Sequence, residues 1–335
     1  MRMTIAAALF LLAGQPVWAA CQGRNLFDTM PPERAAAIDA ATEGVPFRRG
    51  LLWQANKGDQ RITLAGTYHF ADPRHQATLD RLAPLIAKAD ALYVEAGPDE
   101  EARLSQALTA DPTLMVDPDG PTLIERLPDD EWQALAEAMS DRGTPAVIAA
   151  RMRPWYVAMM LGVSPCMARS MAETGEAGGL DHLLVTEARA AGTPVRALEP
   201  WDTIFGLFQG LTPQEELDMI RAGLPAAGYA DDYAVTLTDA YFDGDVWKIW
   251  EFGRFDAYAN SGLTKAQVDR QMQLAQTRLM DGRNRDWIAP LTQGAEAAAR
   301  RGKGIVAGFG ALHLPGEAGV LALLEQQGFT IRPLD

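Results

Sequence analysis

Two short segments of this sequence place a histidine three residues after a glycine, and each directly follows an apolar run. The segments are Gly66 to His69 and Gly310 to His313. Imidazole is a general acid or base near neutral pH and a common ligand of transition metals. Taken singly, a histidine after a strand is more often a hydrogen-bonded structural residue than a ligand. The repeated spacing in matched settings therefore predicts one active centre that uses both imidazoles.

Each of these histidines is predicted to follow a β-strand. Runs at 50–55 and 61–66 flank a turn and predict a hairpin before His69, and a strand at 304–308 precedes His313. Predicted strands at 91–95 and 194–199 each end in a glutamate, namely Glu95 and Glu199. Ligands of open α/β sheets gather at the carboxyl ends of strands. We therefore expect two imidazoles and two carboxylates in one crevice.

The elements around these strands predict the class of fold. Helical segments alternate with the predicted strands, which is typical of a parallel sheet. We expect one α/β domain over residues 21–335, with a mixed, largely parallel central sheet and helical insertions around 101–163 and 212–300. An apolar run over 154–165 is too short to span a bilayer and predicts a buried helix.

Imidazole and carboxylate together suit Zn²⁺, Mn²⁺, Co²⁺ or Fe²⁺. The sequence therefore predicts a divalent metal with four candidate ligands: His69, His313, Glu95 and Glu199. A metal-bound water would be the nucleophile, and one of the glutamates could be the general base instead of a ligand. Asp72 and His75 are expected to orient the imidazole of His69 as hydrogen-bond partners outside the metal's own ligands.

Two glycines and a basic segment complete the predicted site. Gly66 and Gly310 are expected to let the backbone turn sharply and approach a ligand closely. Arg283 and Asn284 lie in the basic segment 281–285. Its cation either faces an anionic intermediate or belongs to a solvated turn. His182 is expected to be a surface or packing residue.

The first twenty residues have the pattern of a secretory signal peptide, with one basic residue, an apolar run and small residues at the end. A periplasmic or secreted location follows. The chain contains two cysteines, Cys21 and Cys166. In an oxidising compartment we expect them to form a disulfide, with a lipid anchor on Cys21 or two free thiols as the alternatives.

The charge of the chain limits its partners. The formal net charge is −14, and no basic run occurs. An acidic surface of this kind repels nucleic acid and anionic lipid. After the signal peptide no apolar segment approaches the length of a transmembrane helix. The expected partner is a peptide or small-molecule substrate.

In these motifs the sequence resembles the TraB/PrgY/GumN family, which includes the Tiki proteins. The resemblance covers nearly the whole mature chain. It rests on five segments: LAGTYHFADPRH (64–75), ALYVEAG (91–97), GLDHLLVTEARAAGTPVRALE (179–199), DGRNRDWI (281–288) and GFGALHLPGEAGVLALLEQQGFTIRPL (308–334).

The resemblance implies a fold related to the erythromycin-esterase and ChaN-like group. It also implies a metal-dependent hydrolase, above all a peptidase, that uses Mn²⁺ or Co²⁺, with Zn²⁺ as a further candidate. Metal and catalytic roles fall on His69, His313 and Glu95, and the family's asparagine–arginine region falls on Arg283 and Asn284. A C-terminal membrane anchor of the Tiki kind is not expected. The alternative function is a non-catalytic periplasmic protein that binds metal, haem or peptide.

Overall fold

The structure is a computed structural model that describes residues 21–175 and 178–334. The predicted signal peptide, residues 1–20, lies outside the described residues. The described part contains a six-stranded sheet. Its strands are β1 (Leu52–Lys57), β2 (Gln60–Thr67), β3 (Leu92–Val94), β4 (Val195–Ala197), β5 (Ile305–Gly310) and β6 (Thr330–Pro333).

The strand order is β4-β3-β5-β2-β1-β6. β2, β5, β3 and β4 are parallel neighbours, whereas β1 is antiparallel to both β2 and β6. The predicted hairpin and the mixed, largely parallel sheet are thus confirmed. Thr67 of β2 aligns with Gly310 of β5, so these two strands end side by side. The carboxyl ends of all four parallel strands therefore lie at one edge of the sheet.

Helices account for most of the remaining described chain. They are α1 (Pro32–Thr42), α2 (His75–Ile86), α3 (Pro98–Ala110), α4 (Leu123–Arg126), α5 (Asp129–Asp141), α6 (Ala146–Ala149), α7 (Pro154–Leu161), α8 (Pro165–Thr174), α9 (Leu180–Ala191), α10 (Thr203–Leu207), α11 (Pro213–Gly223), α12 (Ala230–Phe242), α13 (Val246–Asn260), α14 (Lys265–Ala275), α15 (Gly282–Ala299) and α16 (Val320–Gln326). A π-helical turn, Gln276–Asp281, joins α14 to α15. Helices occupy both regions where insertions were predicted.

Apolar cores on both faces fix the sheet in place. α15 and α16 cover one face with residues that include Trp287, Leu291 and Leu324. α2 and α9 cover the other face through Leu82 and Leu184. Full burial of one such leucine stabilises the fold by about 2 kcal/mol. The sheet therefore provides a rigid platform for the residues at its carboxyl edge.

The helical regions pack around a core of their own, which includes Leu135 and Val157. The predicted buried helix at 154–165 is only partly correct. α7 ends at Leu161, and Met159 on α7 is 44% exposed. Among the described residues, no helix is both long enough and apolar enough to cross a membrane.

A disulfide joins Cys21 to Cys166 at the start of α8. The bond ties the N-terminal end of the described chain to the helical region. The predicted disulfide is therefore present in the structure. A sulfur in a disulfide cannot also carry a thioether-linked lipid, so the lipid anchor on Cys21 does not apply, and neither do two free thiols. Closing so long a loop is expected to stabilise the protein by roughly 2–5 kcal/mol.

Candidate active site

Four parallel strand ends bring together the side chains that the sequence singled out. His69 follows β2, Glu95 follows β3, Glu199 follows β4, and His313 follows β5 in a short 3₁₀ turn. The order of the strands puts β5 between β3 and β2. Glu95 and the two imidazoles therefore come from three adjacent strands, with Glu199 one strand farther on.

Gly310 is the point on which three of these groups converge. Its backbone N–H donates to Oε1 of Glu95 at 2.6 Å. A Cβ added at Gly310 would lie 3.3 Å from Glu95 Oε1, 3.4 Å from His69 Nε2 and 3.5 Å from His313 Cδ2. The φ angle of Gly310 is −45°, which other residues adopt as well. The requirement for glycine here is therefore space beside the reacting groups, and not the sharp turn that was predicted.

His69 is the exposed member of the site, with 58% of its side chain accessible to solvent. Its Nδ1 donates to Oδ2 of Asp181 at 2.9 Å, which leaves Nε2 on the side of Glu95 and Gly310. The negative charge of Asp181 raises the pKa of His69 to about 9, against a smaller opposing effect of burial. At neutral pH His69 is therefore an imidazolium with an N–H directed into the site.

Asp181 was not recognised in the sequence, and its position depends on Gly179. The N–H of Leu180 donates to the carbonyl of Tyr68 at 3.0 Å, which docks the start of α9 on the histidine turn. A Cβ on Gly179 would lie 2.2 Å from the carbonyl carbon of His69. Only glycine permits this approach. The Gly-Leu-Asp sequence at the start of a helix is the one local signal that could have pointed to Asp181.

His313 has the opposite character, since its side chain is only 7% exposed. Its Nδ1 lies 2.6 Å from Oδ1 of Asn284, whose Nδ2 donates to the carbonyl of Ala318. Because the amide oxygen can only accept, Nδ1 of His313 carries the proton and Nε2 carries a lone pair, which faces Nη1 of Arg283 at 3.3 Å. Burial lowers the pKa of His313 to about 4, so the imidazole is neutral at pH 7.

Arg283, from the first turn of α15, is the central cation of the site. Its Nη2 donates to Oε2 of Glu95 at 2.5 Å and to Oε1 of Glu199 at 2.6 Å, and its Nε donates to Oε2 of Glu199 at 2.9 Å. Its Nη1 lies 3.3 Å from His313 Nε2. The guanidinium also lies over the ring of Trp287. A solvated turn, the alternative for this segment, is therefore wrong.

Glu95 remains ionised although its side chain is largely buried. Burial by itself would raise the pKa of Glu95, but His313, Arg283 and His69 together with the Gly310 N–H lower it to about 2. A carboxylate held by several donors in this way is a fixed negative charge at neutral pH. Its charge favours the protonated form of both His69 and His313, and in His313 the effect of burial is larger.

Three other predicted positions have different roles. Asp72 pairs with Arg74, and His75 is buried with Nε2 on the carbonyl of Phe70. The expected support of His69 by Asp72 and His75 is therefore replaced by Asp181. Gly66 is a packing position, because a Cβ there would lie 2.6 Å from a methyl group of Leu314. His182, 36% exposed, lies 3.7 Å from Glu101, as expected for a surface residue.

The predicted metal can be compared with these contacts. Both oxygens of Glu95 and both of Glu199 already accept hydrogen bonds, and His313 faces Asn284 with one nitrogen and Arg283 with the other. A divalent ion at this point would lie beside the guanidinium and be repelled by it. Within the described ranges, no group of three His, Cys, Asp or Glu side chains could hold a metal ion. The arrangement does not fit a resident divalent metal, and the metal centre stays a prediction.

A cavity of about 570 Å³ borders the turn that carries His69, but it does not contain the catalytic candidates. Its lining includes Cys21 of the disulfide, Tyr68, Phe70 and Arg74. Arg74, its cation, is already paired with Asp72 and Asp239. We therefore place the candidate site at the sheet edge, where His69 is open to solvent.

The fold and the site define an α/β protein with paired imidazoles, carboxylates and a guanidinium at the carboxyl edge of its sheet. The model of the TraB/PrgY/gumN family matches residues 51–333, which include the site residues named above. The chain therefore belongs to the TraB/PrgY/gumN family. A comparison with curated proteins finds no match to this chain.

Proposed function

We propose that this protein is an extracytoplasmic hydrolase of acyl bonds, in a peptide or an ester, that works by acid–base catalysis at the strand-end site. The observation that carries the proposal is the pairing of two histidines with opposite partners. A carboxylate holds Nδ1 of His69, whereas an amide oxygen holds Nδ1 of His313. Environments that separate two titratable groups in this way are typical of an acid and a base in one site.

In this mechanism His313 is the general base. Its Nε2 faces Nη1 of Arg283 before the reaction. In the proposed step a water molecule displaces this contact, and Nε2 takes a proton from the water as the water oxygen bonds to the acyl carbon. Glu95 and Glu199 fix the guanidinium of Arg283 through Nε and Nη2 before the reaction. Its Nη1, released from His313 by the water, then stabilises the negative charge that develops on the acyl oxygen. The tetrahedral intermediate then collapses and the bond to the leaving group breaks.

His69 is the general acid. As that bond breaks, Nε2 of His69 transfers its proton to the leaving group, which can depart to solvent because His69 lies at the open side of the site. Asp181 stabilises the imidazolium and fixes its orientation. Exchange with water then returns a proton to His69 and removes one from His313. No metal takes part in these steps.

The disulfide supports the extracytoplasmic location that we propose for this hydrolase. The disulfide between Cys21 and Cys166 fits an oxidising compartment, in agreement with the predicted export. The signal peptide that would direct this export is a prediction from residues 1–20.

The test uses the chain from residue 21 onward with libraries of short peptides and aryl esters, with and without added Mn²⁺, Co²⁺ or Zn²⁺. His69→Ala and His313→Ala should each lower kcat/KM by about 100-fold or more, the usual effect of losing a general acid or base. His182→Ala is the matched control and should leave kcat/KM unchanged. Bound metal is measured in parallel by elemental analysis.

Two results would count against the proposal. Absence of turnover in every library and with every metal would favour a binding protein. Variants of His69 and His313 that behave like the control would show that the two turns are structural. Turnover that needs an added metal, bound in a His69-dependent way, would support the metal-dependent hydrolase predicted from the sequence and overturn the metal-free mechanism.

A further inference from the structure

Helix α10 and the residues beside it are strongly apolar, yet no residue of α10 is buried. Five large apolar side chains in this segment are only half-buried: Trp201, Ile204, Phe205, Leu207 and Phe208. Full burial of a phenylalanine or leucine stabilises a fold by about 2 kcal/mol, and part of that stabilisation is not realised at these five positions. Apolar side chains that are partly open and adjacent to one another form a surface on which an apolar ligand group can bind.

Rings from two separate parts of the chain form a defined shape here. Trp155 of α7 stacks on Phe208, with centroids 5.1 Å apart and an interplanar angle of 17°. Phe205 stands nearly perpendicular to Trp155 at 86°, and Trp201 meets Phe205 edge-on. Met159, one helical turn beyond Trp155, is 44% exposed. We call Trp155, Trp201, Phe205 and Phe208 the aromatic corner.

The aromatic corner is attached to the candidate active site at two points. Trp201 follows Glu199 by two residues, which span at most about 7 Å of chain. On the other side, Nη1 of Arg278 donates to the carbonyls of Leu207 and Gln209 at 3.0 and 2.7 Å. Arg278 belongs to the π-helical turn that leads into Arg283. Both segments that border the aromatic corner thus continue into residues of the active site.

Resting on the hydrolase function proposed above, we propose that the aromatic corner binds an aromatic or large aliphatic side chain of a peptide substrate, next to the bond that is cleaved. An extended peptide advances about 3.3 Å per residue, so a side chain one or two residues from that bond spans the interval from Glu199 to Trp201. The rings of Phe205 and Trp155, which are nearly perpendicular, offer both a face and an edge for contact with an aromatic or branched aliphatic side chain. The only acidic side chain in this segment, Asp202, is exposed, and the chain as a whole is strongly acidic, which disfavours an anionic group.

Binding can be measured without turnover. The full chain from residue 21, labelled with 5-fluorotryptophan, is titrated with N-acetyl-L-phenylalaninamide or N-acetyl-L-alaninamide and followed by ¹⁹F NMR. The signals of Trp155 and Trp201, assigned through Trp→Phe variants, should shift with the phenylalanine compound and not with the alanine compound. The double variant Phe205→Ala, Phe208→Ala should weaken the phenylalanine compound's Kd about tenfold.

Two further variants distinguish a specific loss of binding from a loss of the fold. Met159→Lys, at an already exposed position, should also weaken binding of the phenylalanine compound, because it places a charge at the rim. Val147→Ala, at a position 73% exposed on α6, is the control and should bind like wild type.

The outcomes separate this proposal from the proposed function. Binding that survives in His69→Ala, with turnover lost, supports both. Binding without turnover in wild type overturns the hydrolase but leaves the apolar site in place. Equal shifts with both compounds, no shifts, or an unchanged Kd in both the double variant and Met159→Lys would overturn the aromatic corner. Trp155 and Trp201 signals that respond only to protein concentration would assign the surface to a second copy of the chain.

Discussion

Replacement of Arg283 by methionine is the most informative single change to this site. Methionine keeps an unbranched chain that can lie against Trp287 but removes the positive charge. In wild type, Nη2 of Arg283 donates to Glu95 Oε2 at 2.5 Å and to Glu199 Oε1 at 2.6 Å. In the variant these two carboxylate oxygens would lie close together without a cation. Both carboxylates are largely buried, so each loses its compensation in a poorly solvated place.

The expected loss of stability follows from these contacts. Removing one partner of a buried ion pair costs 3–5 kcal/mol in the free energy of unfolding. Because 18% of Glu95 and 15% of Glu199 remain exposed, we expect about 3 kcal/mol, at the low end of that range. The variant should also raise the pKa of Glu95 from about 2, because burial and the neighbouring carboxylate then dominate.

Urea unfolding at pH 7 and pH 5 tests both expectations. In wild type the folded pKa of Glu95 is depressed, so its contribution to stability is complete above about pH 4.5 and is lost as the pH falls through about 2. The contribution is therefore equal at pH 7 and pH 5. In Arg283→Met, where the acid form is favoured, acidification to pH 5 should recover part of the lost stability.

The same variant tests the reasoning about the metal. With the guanidinium gone, the carboxylates of Glu95 and Glu199 lose their cationic partner and a divalent ion is no longer repelled, so Arg283→Met should retain more Mn²⁺ or Co²⁺ after dialysis than wild type. Arg285→Met, at an exposed position two residues away, is the control. A variant no less stable than this control, or a stoichiometric metal in wild type that is lost in His69→Ala, would refute the reasoning.

Three further changes test other parts of the structure. Asp181→Asn should lower the pKa of His69 from about 9 toward 6.5, as measured by NMR, and an unchanged titration would contradict the pairing. The variant should also lose a stabilisation that in wild type is complete below about pH 6.5 and is lost as the pH rises through about 9. Solvent screening of the exposed His69 ring limits this loss to about 1 kcal/mol in the free energy of unfolding. Asn284→Asp should raise the pKa of His313 from about 4 by placing a carboxylate on Nδ1, and an unaltered midpoint would mean that Asn284 does not hold this ring. Cys166→Ala should lower the free energy of unfolding by roughly 2–5 kcal/mol in non-reducing urea titrations, and a reducing agent should lower the stability of wild type but not that of the variant.

Most of the strands, and the residues at their carboxyl ends, could be predicted from local sequence patterns. Short apolar runs next to glycines located the strands, and the alternation with helices predicted their parallel arrangement. Once strands are parallel, their carboxyl ends share an edge. This is why His69, Glu95, Glu199 and His313 could be placed together before the strand order was known.

Other features had no local signal. His69 meets Asp181 across 112 positions of sequence, and Arg283 meets Glu95 across 188. Asp72 and His75 are close to His69 along the chain, and the sequence therefore predicts them as its partners. The structure joins them to Arg74 and Phe70 instead.

The sequence by itself determined which residue types stand at the strand ends, because strand and turn propensities are set by neighbouring residues. Only the tertiary structure decided what those residues do. The two Gly-x-x-His turns look alike in sequence, yet one histidine pairs with a carboxylate and is 58% exposed, whereas the other pairs with an amide and is 7% exposed. Protonation depends on burial and on charges within a few ångströms, and these are fixed by the order of strands and the docking of α9 and α15.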